Sequence, residues 1–219
     1  MRAKALVFVE GPSDRAGLEI LLRPVIAEAN ERGRSIRFLP KGGKSRLLSE
    51  VPGLAVDHLA DNPADLVVAL PDLYPTRGYE NELAHQDYQG LRTVLNRRFH
   101  ERADRRRISE RARARFRVHC LQHDLEALLL ASVDQLRARL KTKVRLEEGW
   151  ALPVELQDGE RPPKRIVEHL FLKYRRTRYR DNVDVPTILA EASLEVVVDR
   201  CKLRFHPFVT DLRAFARGD

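Results

Sequence analysis

The sequence is poor in cysteine, and neither of its two cysteines stands in a metal-binding pattern. Only Cys120 and Cys201 occur in 219 residues, whereas a secreted chain of this size more often carries a disulfide framework. Both lie in apolar-leaning segments and lack Cys-x-x-Cys spacing, so a structural zinc site is not expected. We predict reduced core thiols and a cytoplasmic protein.

Long hydrophobic runs are also missing. The longest, at 5–9 and 66–70, are far shorter than the roughly 20 residues that span a bilayer. The basic start of the chain is followed by a short apolar run that ends at Glu10 without a signal-peptide cleavage pattern. We therefore expect no contact with a membrane.

Acidic residues are outnumbered by basic ones, 32 to 40, which gives a net charge of +8. Such an excess favours an anionic polymer, most simply a nucleic acid, as partner. Residues 97–117 hold about ten arginines against three acids, and two interpretations stay open. The stretch lies along a nucleic-acid backbone, or it is a solvated helix with arginine–glutamate pairs.

Short apolar runs alternate with helical patterns along the chain. Strands are predicted at 5–9, 36–39, 65–70 and 116–121, with a helix after Ser13 that Pro24 kinks or divides. This order predicts an α/β fold with a mainly parallel sheet flanked by helices. Residues 1–140 form the predicted core and 141–219 a helical extension, or the whole chain is one continuous domain. The last two helices are predicted at 186–200 and 207–216.

Acids follow three of the predicted strands. Glu10 follows the first strand, Asp72 follows the third, and Asp124 and Glu126 follow the fourth. Asp14 lies four residues after Glu10. In a parallel sheet the carboxyl ends of the strands lie together, and ligands bind there. Converging carboxylates need a cation or shared protons, and Mg²⁺ prefers oxygen ligands. The alternative is that each acid caps or starts a helix, which suits Asp14, Asp124 and Glu126 better than Asp72.

A basic glycine-containing loop, Lys41-Gly42-Gly43-Lys44-Ser45, follows the second predicted strand. Phe38 stands where a Walker A loop needs its first glycine, so the loop is not a P-loop. It either holds a substrate phosphate through Lys41, Lys44 and Arg46 or is a surface turn.

The segment Phe8-Val9-Glu10-Gly11-Pro12-Ser13-Asp14 resembles the first Toprim motif, in which a strand ends in glutamate and glycine. More closely, the chain resembles the bacterial domain-of-unknown-function family numbered 4276. The matching segments, in chain order, are Val9-Glu10-Gly11, Asp72-Leu73-Tyr74, Gln122-His123-Asp124-Leu125-Glu126-Ala127-Leu128-Leu129, Pro163-Lys164-Arg165-Ile166, and Ala190-Glu191 through Leu194-Glu195.

The resemblance implies a Toprim-like, Rossmannoid core related to overcoming-lysogenization-defect nucleases. It also implies an ATPase partner and a role in phage defence. By carry-over, Glu10 is the general acid/base or a metal ligand, Asp72 the metal-binding acid and Glu126 a third ligand. Tyr74 departs from the pattern, because Toprim domains have a second aspartate at this position. A two-metal site would then need Asp14, Asp124 or Glu126.

These observations predict a Mg²⁺- or Mn²⁺-dependent phosphodiesterase, a nuclease acting on RNA or DNA. The catalytic residues would be Glu10, Asp72 and Glu126. The alternative is a non-catalytic Toprim-fold adaptor or nucleic-acid-binding module that docks on an ATPase. The sequence leaves the oligomeric state open, including a homo-oligomer.

Overall fold

One parallel sheet forms the centre of the molecule. The computed structural model describes residues 3–76, 78–79, 82–147, 150–157 and 160–219. Within them, four strands pair in the order β2-β1-β3-β4, and every neighbouring pair is parallel. The strands are Lys4–Val9 (β1), Ser35–Pro40 (β2), Leu66–Ala69 (β3) and Phe116–Val118 (β4).

Helices connect and cover the strands. They are Pro12–Leu21 (α1), Arg23–Glu31 (α2), Lys44–Asp61 (α3), Tyr88–Arg106 (α4), Glu110–Arg113 (α5), Glu126–Ala131 (α6), Val133–Leu140 (α7), Pro163–Leu170 (α8), Asp181–Leu189 (α9), Leu194–Arg200 (α10) and Phe205–Arg217 (α11). A 3₁₀ turn spans Val154–Leu156, and a π-helical turn spans Phe171–Arg175. The structure is thus a Rossmann-like α/β fold with a helical carboxyl-terminal region.

Two hydrophobic clusters fill the two faces of the sheet. Side chains of successive strand residues point to opposite faces. In β1, Ala5, Val7 and Val9 pack with α1, α2 and the carboxyl-terminal helices, whereas Phe8 packs with α3, α4 and α5. The first cluster contains residues from both sides of position 140, so the helices after that position share a core with the sheet.

The two central strands send the chain to opposite faces. After β1 the chain enters α1 on the first face, and after β3 it enters α4 on the second. A crevice forms outside the carboxyl ends of two such strands, and ligands of open α/β sheets bind there. Here the crevice lies between Glu10, which follows β1, and Asp72, which lies three residues after β3.

Proline placement explains one confirmed helix boundary and one wrong one. The division at Pro24 is confirmed, because α1 ends at Leu21 and α2 begins at Arg23 with the proline in its first turn. The helix predicted for 186–200 is wrong. Helix α9 begins at Asp181 and contains Pro186 in its interior, and a separate helix covers 194–200. Acids at the first turn start α9, and an interior proline removes only one of its hydrogen bonds.

Both thiols are buried and unpaired, as the sequence predicted. No helix in the described part of the chain is long and apolar enough to cross a membrane.

A buried carboxylate fixes the last helix. Glu155 is 3% exposed, and its oxygens accept hydrogen bonds from the backbone N–H groups of Leu203, Arg204 and Phe205 at 2.5, 2.8 and 2.9 Å. These are donors at the start of α11, which the helix itself leaves unsatisfied. A glutamate distant in sequence thus caps the helix and binds the 150–157 segment to it.

We expect Glu155→Gln to lower the free energy of unfolding by about 2 kcal/mol, because the amide loses the charge and points N–H donors at backbone donors. Urea denaturation followed by circular dichroism measures the change. Glu101→Gln, an exposed glutamate on α4, is the control and should lie within about 0.5 kcal/mol of wild type. Equal losses in both variants would contradict the capping role.

Candidate functional site

Glu10 and Asp72 meet at the crevice between β1 and β3. The backbone N–H of Asp72 donates to Oε1 of Glu10 at 2.9 Å. The parallel pairing continues beyond β3, because Asp72 forms a bridge with Leu121 of the neighbouring segment. The sheet therefore fixes both the backbone of Asp72 and the carboxylate of Glu10.

Asp14 joins this pair from the first turn of α1. Its Oδ2 accepts a hydrogen bond from the backbone N–H of Gly11 at 2.7 Å, and Oδ1 takes no part in this bond. Asp14 thus caps its own helix, as the alternative interpretation of the sequence held. It is also close enough to raise the pKa of both Glu10 and Asp72.

A second group of side chains stands on the other side of Asp72. Glu126 is buried at the start of α6, and Asp124 lies two residues before it. The Nζ of Lys164 on α8 is 4.0 Å from Oε1 of Glu126. The Tyr179 hydroxyl is buried beside Glu126 without a well-formed hydrogen bond, and Oδ1 of Asp124 is likewise buried without a partner in the described residues.

Asp72 connects the two groups electrostatically. Burial raises its pKa well above the ordinary value, and the charges of four neighbouring carboxylates, on Glu10, Asp14, Asp124 and Glu126, raise it further. Five carboxyl groups therefore influence one another in this region, and Lys44 and Lys164 are cations whose charges oppose the shifts of Glu10 and Glu126. Carboxylates in such a number need protons or a metal ion in addition.

The pKa values of two glutamates lie near neutrality. Burial raises the pKa of Glu10 to about 7; the Asp72 N–H and the charge of Lys44 oppose the shift, and Asp14 adds to it. Burial and then Asp124 raise the pKa of Glu126 to about 8 against the opposing charge of Lys164. Both groups can therefore exchange protons at neutral pH.

Lys44 is an internal cation of the site. It is the first residue of α3 and is buried. Its Nζ donates to the carbonyl oxygens of Leu73 and Pro75, both at 2.7 Å. Burial lowers its pKa to about 8, against the charges of Glu10 and Asp72. Its ammonium also lies 5.1 Å from the ring centre of Tyr79.

The other two predicted phosphate ligands point elsewhere. Lys41 Nζ lies 2.5 Å from Oε2 of Glu50, and Arg46 Nε lies 4.0 Å from its Oε1. The backbone N–H groups of Gly42 and Gly43 both donate to the carbonyl oxygen of Glu10 at 2.9 Å. The glycine loop thus closes on the strand end, and phosphate binding by Lys41 and Arg46 stays a prediction.

An aromatic pair stands near the carboxylates. The rings of Tyr74 and His123 stack with centroids 5.2 Å apart and planes inclined by 24°. His123 Nε2 is 2.8 Å from the carbonyl oxygen of Gln157. Tyr74 is 46% exposed, so part of its ring is accessible to a further planar group. Tyr74 therefore offers a stacking surface at this end of the sheet.

The donors are of the type that Mg²⁺ prefers, carboxylate oxygens, and the unpartnered Oδ1 of Asp124 is one of them. Within the described ranges, however, no three His, Cys, Asp or Glu side chains are gathered closely enough to hold a metal ion. The residues fit a divalent cation in chemistry and charge, and three of them could share one ion only if they stood closer together.

The parallel sheet and the position of its crevice define a Rossmann-like α/β protein. The chain belongs to the family described as Domain of unknown function (DUF4276), whose sequence model matches residues 9–213. The family resemblance seen in the motifs is thereby confirmed over nearly the whole chain. No curated protein and no solved structure matches it.

Sequence reasoning missed three members of the site. They are Lys164, for which the sequence predicted no role, and Tyr179 and Asp181, which no motif marked. The charges of Asp181 and Lys164 act on Asp14, in opposite directions. Lys164 stands in the Pro163-Lys164-Arg165-Ile166 motif, which was the one available signal for these residues.

The raised carboxyl pKa values predict how stability depends on pH without a divalent cation. An acid whose pKa is higher in the folded than in the unfolded protein stabilises the fold at pH values below its unfolded-state pKa, which is near 4.5 for glutamate. This contribution is lost as the pH rises through the folded-state pKa. For Glu10 that value is about 7. Between about pH 5 and about pH 8, the free energy of unfolding of Glu10→Gln should rise by on the order of 1 kcal/mol relative to that of wild type.

Urea denaturation in EDTA across this range measures the difference. Glu101→Gln is the control and should follow wild type. A constant difference between Glu10→Gln and wild type at all pH values would show that Glu10 does not titrate near neutrality.

Proposed function

We propose that this chain is a cytoplasmic phosphodiesterase that cleaves RNA or DNA with Mg²⁺ or Mn²⁺. The observation that carries the proposal is the convergence of carboxylates on Asp72, at the crevice where the two central strands diverge. Their number exceeds that of the nearby cations, and the protein as a whole is basic. A divalent cation relieves the repulsion among the carboxylates and attracts a phosphodiester.

Within this proposal Asp72 and Glu126 hold the cation, with Asp14 and Asp124 as further oxygen donors, and Glu10 stays free for proton transfer. The cation would neutralise charge on the phosphate and lower the pKa of bound water. Glu10 is the candidate acid/base, because its pKa of about 7 allows it to accept and return a proton. Lys44 keeps that pKa from rising higher and fixes the 73–75 segment.

The test is a hydrolysis assay on labelled single-stranded RNA and DNA with Mg²⁺ or Mn²⁺. Asp72→Asn and Glu10→Gln should each lose roughly 100-fold or more in rate, because each removes a charge that the cation or proton needs. Asp57→Asn, an exposed acid on α3, is the matched control and should retain wild-type activity. Equal rates in all four proteins would indicate a contaminating nuclease and contradict the assignment.

A second candidate function is a non-catalytic adaptor that docks on an ATPase. It is favoured by the buried ammonium of Lys44 beside Glu10 and Asp72, and by the lack of a close three-ligand group in the described residues. Calorimetric titration with Mn²⁺ separates the two functions. Heat of binding that disappears in Asp72→Asn supports the phosphodiesterase, and no binding by wild type supports the adaptor. The ATPase and a role in phage defence are proposed on family resemblance alone.

Substitution of Lys44 tests the assignment of Glu10. In Lys44→Met the acidic limb of the kcat/KM profile should move to higher pH, because the charge that lowers the pKa of Glu10 is gone. In Lys41→Met the profile should stay in place, since Lys41 pairs with Glu50. A limb that moves in neither variant would mean that Glu10 is not the titrating group; thermal unfolding checks that Lys44→Met is folded.

A further inference from the structure

A groove of about 500 Å³ runs along the free edge of the sheet. Strand β4 is the end strand, and α4 and α11 border it on the two sides. Basic side chains from several elements line the groove: Arg92 and His100 on α4, Arg113 on α5, Arg117 on β4, and His119 just after it. It lies outside the carboxylate site.

The groove is closed to an added strand. The carbonyl oxygen of Arg115 accepts from Val67 and the N–H of His119 donates to Ala69, both on β3, so the carbonyls of Phe116 and Val118 point outward. The Tyr88 hydroxyl donates to Val118 O at 2.9 Å, and the Arg117 guanidinium donates to Phe116 O at 3.4 Å. A ligand would therefore meet side chains here instead of a strand edge.

Three arginines and two acids, Glu110 and Asp211, line the groove, which leaves a small excess of positive charge for an anion. Asp211 holds two of the basic groups, with its Oδ2 2.8 Å from His119 Nε2 and 3.5 Å from Arg117 Nε. Arg113 is paired with Asp104 and Glu110. Arg92 is exposed and forms no ion pair with any described residue, so its guanidinium is available to a ligand.

Side-chain contacts lead from the groove to the carboxylates. Arg204 lies over the ring of Tyr88, 4.3 Å from its centre, and its Nε donates to Oε1 of Gln122 at 3.3 Å. Gln122 directly precedes His123, whose ring stacks on Tyr74. One cation, Arg204, therefore stands along this path, and the exposed ring of Tyr74 stands at its end.

We propose that the groove seats the sugar–phosphate backbone of a single-stranded nucleic acid, whose chain continues past Tyr74 to the carboxylates. This inference rests on the proposed function, because hydrolysis of a nucleic acid is the reason for binding one. Arginines spread along a groove contact successive phosphates without reading sequence. An unpaired base can stack on the exposed part of the Tyr74 ring, whereas a paired base cannot.

Binding can be measured apart from cleavage, by fluorescence anisotropy in EDTA with a labelled oligouridylate of about 12 nucleotides. Arg92→Ala and Arg117→Ala should each raise Kd about 3- to 10-fold near 0.1 M salt and reduce the salt slope by about 0.7, the value for one phosphate contact on a single strand. Arg92→Lys should keep most of the affinity, because a phosphate contact needs charge more than geometry.

Arg105→Ala is the matched control, since Arg105 is exposed on the same helix but lines a different pocket. It should change Kd by less than about 2-fold. Variants Arg92→Ala and Arg117→Ala that bind like Arg105→Ala would overturn the proposal. So would a duplex of the same length that binds as tightly as the single strand.

The two proposals can fail separately. Loss of binding in the groove variants, with no hydrolysis by wild type, would support the groove and refute the phosphodiesterase. Metal-dependent hydrolysis by wild type, with unchanged binding in the groove variants, would support the phosphodiesterase and refute the groove. If both proposals hold, the groove variants should cleave bis(p-nitrophenyl) phosphate, a small diester that cannot reach the groove, at the wild-type rate.

Discussion

The hydrogen bond from the Asp72 amide to the Glu10 carboxylate is the contact on which the rest of the site depends. It joins the ends of the two central strands at the position where their connections part to opposite faces of the sheet. It keeps one oxygen of Glu10 in the crevice, where burial raises the pKa of the group. Asp14, Lys44 and the glycine loop are then arranged around a carboxylate that the sheet has already fixed.

The fold could be predicted because its strands are short buried runs separated by helical periodicity. The sheet is parallel, as expected, and Pro24 divides the first helical segment. The last strand is shorter than the predicted 116–121 and ends at Val118. Beyond it, the backbone N–H groups of His119 and Leu121 still donate to Ala69 and Pro71, so the contact with the β3 segment continues without regular strand geometry. The position of the last strand followed from local pattern.

The site was predictable only where strand order determines it. Glu10 and Asp72 lie side by side because β1 and β3 are neighbours, and the sequence marks both strand ends. Lys44 was expected to hold phosphate, and the sequence did not indicate that the start of α3 directs it inward to the carbonyls of the 73–75 segment. Lys164 comes from α8 and Tyr179 from the loop before α9, both far along the chain, so no local spacing could place them beside Glu126.

The capping of α11 by Glu155 has a consequence for how this protein could be divided. Helix α11 carries the aspartate that orients Arg117 and His119, and α8 carries the lysine beside Glu126. A fragment limited to the sheet and its first helices would keep Glu10 and Asp72 but lose the groups that balance their neighbours. The helical region is therefore required by the sheet region. In recombination or fragment complementation, both parts should come from the same parent protein.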